Sequence, residues 1–255
     1  MKRSILTGVL VAAAGISALM AQAPAKQPQP KSKAEQDAVM ALINAQGTGN
    51  ADAVIKAAEE LLTKYADTEF KALALFMEAI SYEQKGDFDR AMIFGDRVLE
   101  IDPNNLQVTL MLGQQLAQRT KENDLDKEEK LARAEKLLNG TLTNLKTAAK
   151  PNPQLPDAQW EEAKKFMGAE AQNGLGLVAL TRKKYDVAIK SFESAVAADP
   201  QPAYSVRLAS ALQQTGKNAE AIAICDKLLA DPQLHPQIKS VATNLKQVAT
   251  NSMKK

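Results

Sequence analysis

NGLGLVALTRKKYDVAIKSFESAVAADP, running from Asn173 to Pro200, decides how the whole chain is read. Apolar residues recur three and four apart as far as Thr181, the basic run Arg182 to Lys184 interrupts them, and the same spacing resumes from Tyr185 to Ala198. This predicts a helix, a tight polar turn and a second helix that stops at Asp199-Pro200, because proline cannot continue a helix. Small residues stand where two such helices must cross: Gly176 and Ala188 let the backbones approach, and Ala195 lies where the second helix meets the first helix of a following unit. A single hairpin cannot bury both of its faces, so related hairpins are expected elsewhere in the chain.

They are found on both sides. Lys71 to Pro103 repeats the spacing with Ala79, Tyr82, Gly86, Phe88, Ala91 and Pro103, and Asp87 is placed to cap its second helix. Two positions depart. Glu78 stands where a leucine is expected and Gly95 where an aromatic is expected, so either the hairpin packs loosely or another residue fills the gap. Pro202 to Pro232 is a further copy, through Leu208-Ala209, Leu212, Gly216, Ala221 and Leu228. Leu106 to Arg119 restarts the pattern with Leu112-Gly113, but a charged insert from Thr120 to Lys130 replaces the short turn. Its partner helix is expected from about Leu125 to Ala148, with Leu131, Ala134, Leu138, Leu142 and Leu145 on one stripe. The insert reads as a solvated turn, with a partner-binding protrusion as the alternative.

Lys150 to Asp157, rich in proline, breaks the helical pattern, and Ala158 to Lys183 reads as one long helix with Trp160, Ala163, Met167 and Gly174 on a packing face. At the other end, Ala34 to Gln46 and Ala51 to Tyr65 flank Gly47-Thr-Gly-Asn50 as a divergent hairpin, with Ala41 and Ala53 as small contact residues. Pro236 to Ser252 reads as a capping helix whose apolar face is Ile238, Val241, Leu245 and Val248.

Leu175-Gly176, Tyr185, Ala188, Phe192, Ala195 and Pro200 resemble the signature of the tetratricopeptide repeat, a unit of about 34 residues. The resemblance covers residues 34–255. Clear repeats fall at 71–104, 169–201 and 202–233, a divergent one at 34–70 and an enlarged one at 105–168. It implies an all-α fold, a right-handed superhelical solenoid of about five helical hairpins plus a C-terminal capping helix. The packing positions it implies are Tyr82, Ala91, Gly113, Gly176, Ala188, Phe192, Ala195, Ala209 and Ala221.

Composition agrees with a helical chain: 45% of residues are hydrophobic but only 4% aromatic, so the core is built from Ala and Leu. Met1-Lys2-Arg3, the uncharged apolar run Ile5 to Met20 and Ala21-Gln22-Ala23 read as a secretory signal peptide over residues 1–21, with Ala23 as the other cleavage position. Residues 22–33 form a polar linker rich in Pro, Gln and Lys. An exported protein is expected, in a bacterial periplasm. Removing residues 1–21 takes away Lys2 and Arg3 and leaves 30 basic against 30 acidic residues, a balance that does not favour nucleic-acid binding.

The sole cysteine, Cys225, falls at the position equivalent to Phe192 and reads as a small buried hydrophobe. The sole histidine, His235, precedes Pro236 and reads as an exposed turn residue. One His and one Cys put ordinary zinc sites and histidine-based nucleophilic sites out of reach, and no glycine loop cradles a phosphate. No cofactor, no small-molecule substrate and no catalytic residue is therefore expected. The resemblance implies a non-catalytic module that binds a peptide or helix of an envelope protein through the first helix of each hairpin. The groove-facing offsets fall on Phe76, Ile80, Leu110, Gln114 and Asn173, with Glu170, Ser210, Gln213 and Gln214 further along. The chaperone-binding variety of these repeats grips a terminal carboxylate with Lys, Asn and Arg; Phe76 and Ile80 occupy two of those positions and Arg207 is the single match. The alternative is a structural spacer or self-associating scaffold without a dedicated groove.

Overall fold

The computed structural model describes residues 28–254, and among them the chain forms eleven α-helices and no strand. They are α1 (Lys33–Gly47), α2 (Ala51–Lys64), α3 (Lys71–Gln84), α4 (Phe88–Ile101), α5 (Leu106–Arg119), α6 (Lys127–Leu145), α7 (Asp157–Thr181), α8 (Tyr185–Ala198), α9 (Pro202–Gln214), α10 (Asn218–Leu229) and α11 (Pro236–Ser252). The expected signal peptide at 1–21 and the first half of the linker lie outside the described residues. The partner helix of the enlarged repeat begins at Lys127 rather than Leu125, and ends at Leu145 rather than Ala148. Leu125 is fully exposed in the loop ahead of it, where Asp124 and Asp126 both pair with Lys130.

The helices gather into two compact units. The first comprises the described residues up to Leu112 together with Lys146–Trp160. The start of α1 is fixed: Ser32 caps it by accepting from Glu35 N, while the buried Glu35 carboxylate accepts from Lys31 N at 2.6 Å and from the Thr68 hydroxyl at 2.6 Å. Both carboxylate oxygens are thus satisfied by charge-assisted bonds, and the start of α1 is tied to the loop before α3. α1 packs on α2, α2 on α3 and α3 on α4. Tyr82 stacks on Phe94 with ring centroids 5.3 Å apart, and Arg90 and Arg97 lie over the two rings. The gap that Gly95 leaves is filled: a Cβ there would stand 2.7 Å from Leu112 Cδ2, so the α5 leucine occupies the space where the repeat pattern expects an aromatic.

Three of the turns, those joining α3 to α4, α7 to α8 and α9 to α10, share one geometry. Gly86, Lys183 and Gly216 have φ of 72°, 60° and 79°. The residue after each turns its backbone N–H back onto the last turn of the preceding helix: Asp87 N to Tyr82 O, Lys184 N to Ala179 O and Lys217 N to Leu212 O, at 2.8 to 3.0 Å. This closure needs one left-handed residue, which glycine supplies without steric cost and Lys183 does not.

The second unit comprises Gly113–Leu145 and Glu161 onward. The side chain of Leu138 is wedged between two glycines: a Cβ on Gly113 would lie 2.7 Å from its Cγ, and one on Gly174 2.8 Å from its Cδ1. Phe192 lies against Gly176 in the same way, with ring atoms 2.4 to 2.8 Å from where a Cβ would be. Ala188, Phe192, Ala209, Ala221 and Cys225 are fully buried in one core, and Ala195 clusters with Ala169 and Tyr204. Burial pushes the Cys225 thiol above its ordinary value. Arg182 joins α7 to α6 through Glu128 at 2.9 Å and Glu135 at 2.7 Å.

α11 packs on α9 and α10, but its buried stripe is not the expected one. Ala242 and Ala249 are fully buried and Ile238 and Leu245 pack against the core, whereas Val241 and Val248 are about half exposed. The two alanines let the helix approach closely, and that contact rotates both valines outward.

Candidate partner-binding face

In the second unit, side chains of α5, α7 and α9 are linked across one face. Glu170 on α7 accepts from the Gln114 amide of α5 through Oε2 and from the Tyr204 hydroxyl of α9 through Oε1. One turn further along, Arg207 Nη1 of α9 donates to Asn173 Oδ1 of α7 at 2.6 Å. These bonds place the first helices of successive hairpins side by side, with their polar residues on a common surface. Ser210 continues it and accepts from the Gln214 amide at 3.4 Å.

The electrostatics follow from partial burial. Tyr204 is buried, and desolvation together with the adjacent Glu170 carboxylate raises its phenol well above the ordinary value, so it stays a donor at any physiological pH. Arg207 is half-buried; desolvation lowers its pKa while Glu170 and Tyr204 oppose that shift. A guanidinium carries five donors, and the bond to Asn173 engages one nitrogen. The half-exposed part of Arg207 is therefore suited to a carboxylate or carbonyl brought by another molecule, which would share its incomplete desolvation.

The residues expected from sequence divide between the units. Gln114 and Asn173 belong to this face, but Asn173 is 1% exposed and acts by orienting Arg207. Phe76, Ile80 and Leu110 belong to the first unit. Phe76 and Leu110 are each only 9% exposed and Ile80 is half-buried, so they do not form an open apolar contact surface. The reason is that α3 is covered on every side, from Leu73 through Ala79 and again at Ser81 and Tyr82. Sequence reading missed Tyr204 as a member of the face and undervalued Glu170 and Arg207. A signal was present: Glu170 and Tyr204, like Asn173 and Arg207, stand 34 residues apart, one repeat length. Equivalent positions of adjacent units are neighbours in a stacked array.

Among the described residues no group of three or more His, Cys, Asp and Glu is placed to hold a metal ion, and no helix is long and apolar enough to cross a membrane.

The comparisons with known proteins agree with this architecture. Tetratricopeptide repeat families match residues 72–105, and 164–203 and 173–236. Among solved structures, a thermophilic tetratricopeptide-repeat protein of Thermus thermophilus is similar over 83% of this chain and 98% of its own, with 19% identity and a TM-score of 0.52. Pseudomonas aeruginosa PilF is similar over 86% and 89%, with 16% identity and a TM-score of 0.55. MamA of RS-1 is similar over 85% and 96%, with 15% identity and a TM-score of 0.54. No curated protein sequence matches the chain. Matched by family models at 72–105 and 164–236, the chain carries tetratricopeptide repeats there, and over most of its length it has the fold of a solved tetratricopeptide-repeat protein.

Proposed function

We propose that the protein is an exported, non-catalytic module that captures an extended segment of a protein partner on the α5, α7 and α9 face of its second unit. Tetratricopeptide repeats are protein interaction modules, and the observation that carries the finer reading is the cross-helix set Gln114, Glu170, Tyr204, Asn173 and Arg207. Three successive first helices present preorganised polar groups. Glu170 is already served by two donors, so the face keeps a spare donor at Arg207 rather than a spare acceptor. An extended backbone or an acidic side chain suits such a surface.

The export part of the proposal rests on Met1-Lys2-Arg3, the apolar run that follows and Ala21-Gln22-Ala23. The test of the binding part begins with crosslinking in an envelope extract to identify a partner, followed by titration of that purified partner. Arg207→Ala and Gln114→Ala should each weaken binding at least tenfold while far-UV circular dichroism stays unchanged. Equal affinity in a folded Arg207→Ala protein would remove the face from consideration.

A further inference from the structure

Pro202 opens α9 and Pro236 opens α11, 34 residues apart, the interval that also separates Glu170 from Tyr204 and Asn173 from Arg207. The buried positions keep that step. Tyr204, Leu208 and Ala211 of α9 are covered, and one step on, Ile238, Ala242 and Leu245 form the side of α11 that packs into the core of this unit. α11 packs on both α9 and α10, the hairpin before it. By register and by packing it is a first helix without a second, the next in the row that α5, α7 and α9 begin.

That register decides what the outward valines of α11 are next to. Around the α11 axis Lys246 stands about 140° from Val241 and about 160° from Val248, at about 100° per residue. Lys246 pairs with Asp226 of α10 at 2.5 Å, so its edge of the helix is the α10 edge and the valines lie on the other. One step of the repeat carries Arg207 to Val241, Ser210 to Asn244 and Gln214 to Val248. The row that bears the spare donor on α9 therefore continues on α11 as two valines, 49% and 50% exposed. The core takes Ile238, Ala242, Leu245 and Ala249 from this helix and leaves both valines open. Gln237, Asn244 and Ser252, their neighbours on the same edge, carry no charge.

We infer that α11 is the fourth helix of the partner-binding face, and that Val241 and Val248 form an apolar subsite for the same segment whose polar group Arg207 holds. Packed helix axes lie roughly 8–10 Å apart and an extended chain advances about 3.3 Å per residue, so the two contacts are about three residues apart along the occupant. The occupant is an extended protein segment with an acidic residue and, about three positions away, an aliphatic or aromatic one. The inference rests on the proposed capture at Arg207 and adds to it a helix and a second chemical requirement; separate substitutions on α9 and α11 let the two fail separately.

The probe is a phage-displayed library of random dodecapeptides selected on the full chain. Enriched peptides should carry Asp or Glu with Leu, Ile, Val or Phe about three positions away. The strongest binder, synthesised with fluorescein and read by anisotropy, should bind Val241→Asp, Val248→Asp at least tenfold more weakly than the natural chain, with helicity retained because both side chains are half exposed. If that pair fails to fold, Val241→Ser, Val248→Ser is the milder replacement and should weaken binding at least threefold. A peptide that loses affinity with Arg207→Ala yet binds the folded valine variant like the natural chain would overturn the inference and leave the Arg207 face standing. Dependence on the valines without dependence on Arg207 would overturn it too, by separating α11 from that face. A selection that enriches no peptide would overturn both this inference and the reading it rests on.

Discussion

Glu78 sits on α3 where the repeat pattern places a leucine, and it is a weak point whose strength depends on pH. It is 1% exposed and its Oε2 has no hydrogen-bond partner. Burial first, then repulsion from Glu59 on α2, raises its carboxyl from 4.5 to about 7; Arg97 on α4 opposes the shift in part. Arg97 is itself held over the Phe94 ring at 5.3 Å. Between pH 4.5 and 7 the folded chain keeps the proton and the unfolded chain has lost it, so the folded state binds more protons and stability falls as pH rises. The stabilisation is full below pH 4.5 and gone above about 7. A shift of this size corresponds to about 3 kcal/mol at about 1.4 kcal/mol per unit. Asp67, Glu122, Asp126 and Asp157 are held below the usual carboxylate range by hydrogen bonds from lysines, so they titrate below this window. Urea unfolding followed by Trp160 fluorescence, which reports the unit that contains Glu78, should show the natural chain losing about 3 kcal/mol from about pH 5 to 8. Glu78→Gln should flatten that dependence, and Glu78→Leu should be the more stable protein at about pH 8 because it removes a buried, unpaired charge. Parallel curves for the natural chain and Glu78→Gln across this range would refute the reasoning.

Lys183→Gly should raise stability by about 0.5–1 kcal/mol, because φ of 60° costs a lysine and not a glycine; chemical denaturation measures it. Gly176→Ala should destabilise by about 1–3 kcal/mol despite the better helix former, since the new Cβ would meet the buried Phe192 ring, and a raised thermal midpoint would contradict this. Removing Pro236–Lys255 should strip α11 from α9 and α10 and cause association visible by light scattering; a monodisperse, equally soluble truncation would deny α11 its capping role. The intact mass of protein purified from its native host should lack at least residues 1–21, and a mass that retains Met1 would reject export.

The fold was legible because its determinants are local and periodic. Gly86 and Gly216 mark left-handed turns, Pro200 and Pro232 mark helix ends, and small residues recur at the crossings, all readable from spacing alone. Lys183 in the same conformation shows the limit of that code, since the backbone closure is fixed by the hydrogen bonds from Lys184 N and its neighbours even where the residue type is wrong for it. Gly95 shows another limit. Its partner Leu112 belongs to the following hairpin, so the filling of the gap depends on a contact that the hairpin's own sequence does not contain.

The site was less legible because an offset in a helix fixes a direction and not what lies there. Phe76 and Leu110 occupy ligand-facing offsets and are nonetheless covered, so the offset alone did not decide their exposure. The polar face behaves differently. Glu170 to Tyr204 and Asn173 to Arg207 are each one repeat length apart, so the periodicity that builds the stack also decides which side chains touch. The contact between Gln114 and Glu170 spans 56 residues instead, because the enlarged repeat lies between them. The insertion lengthens the path along the chain and leaves first helix beside first helix. In a repeat protein, polar pairs at the repeat spacing on successive first helices therefore locate a shared face even when the outward-facing apolar residues do not.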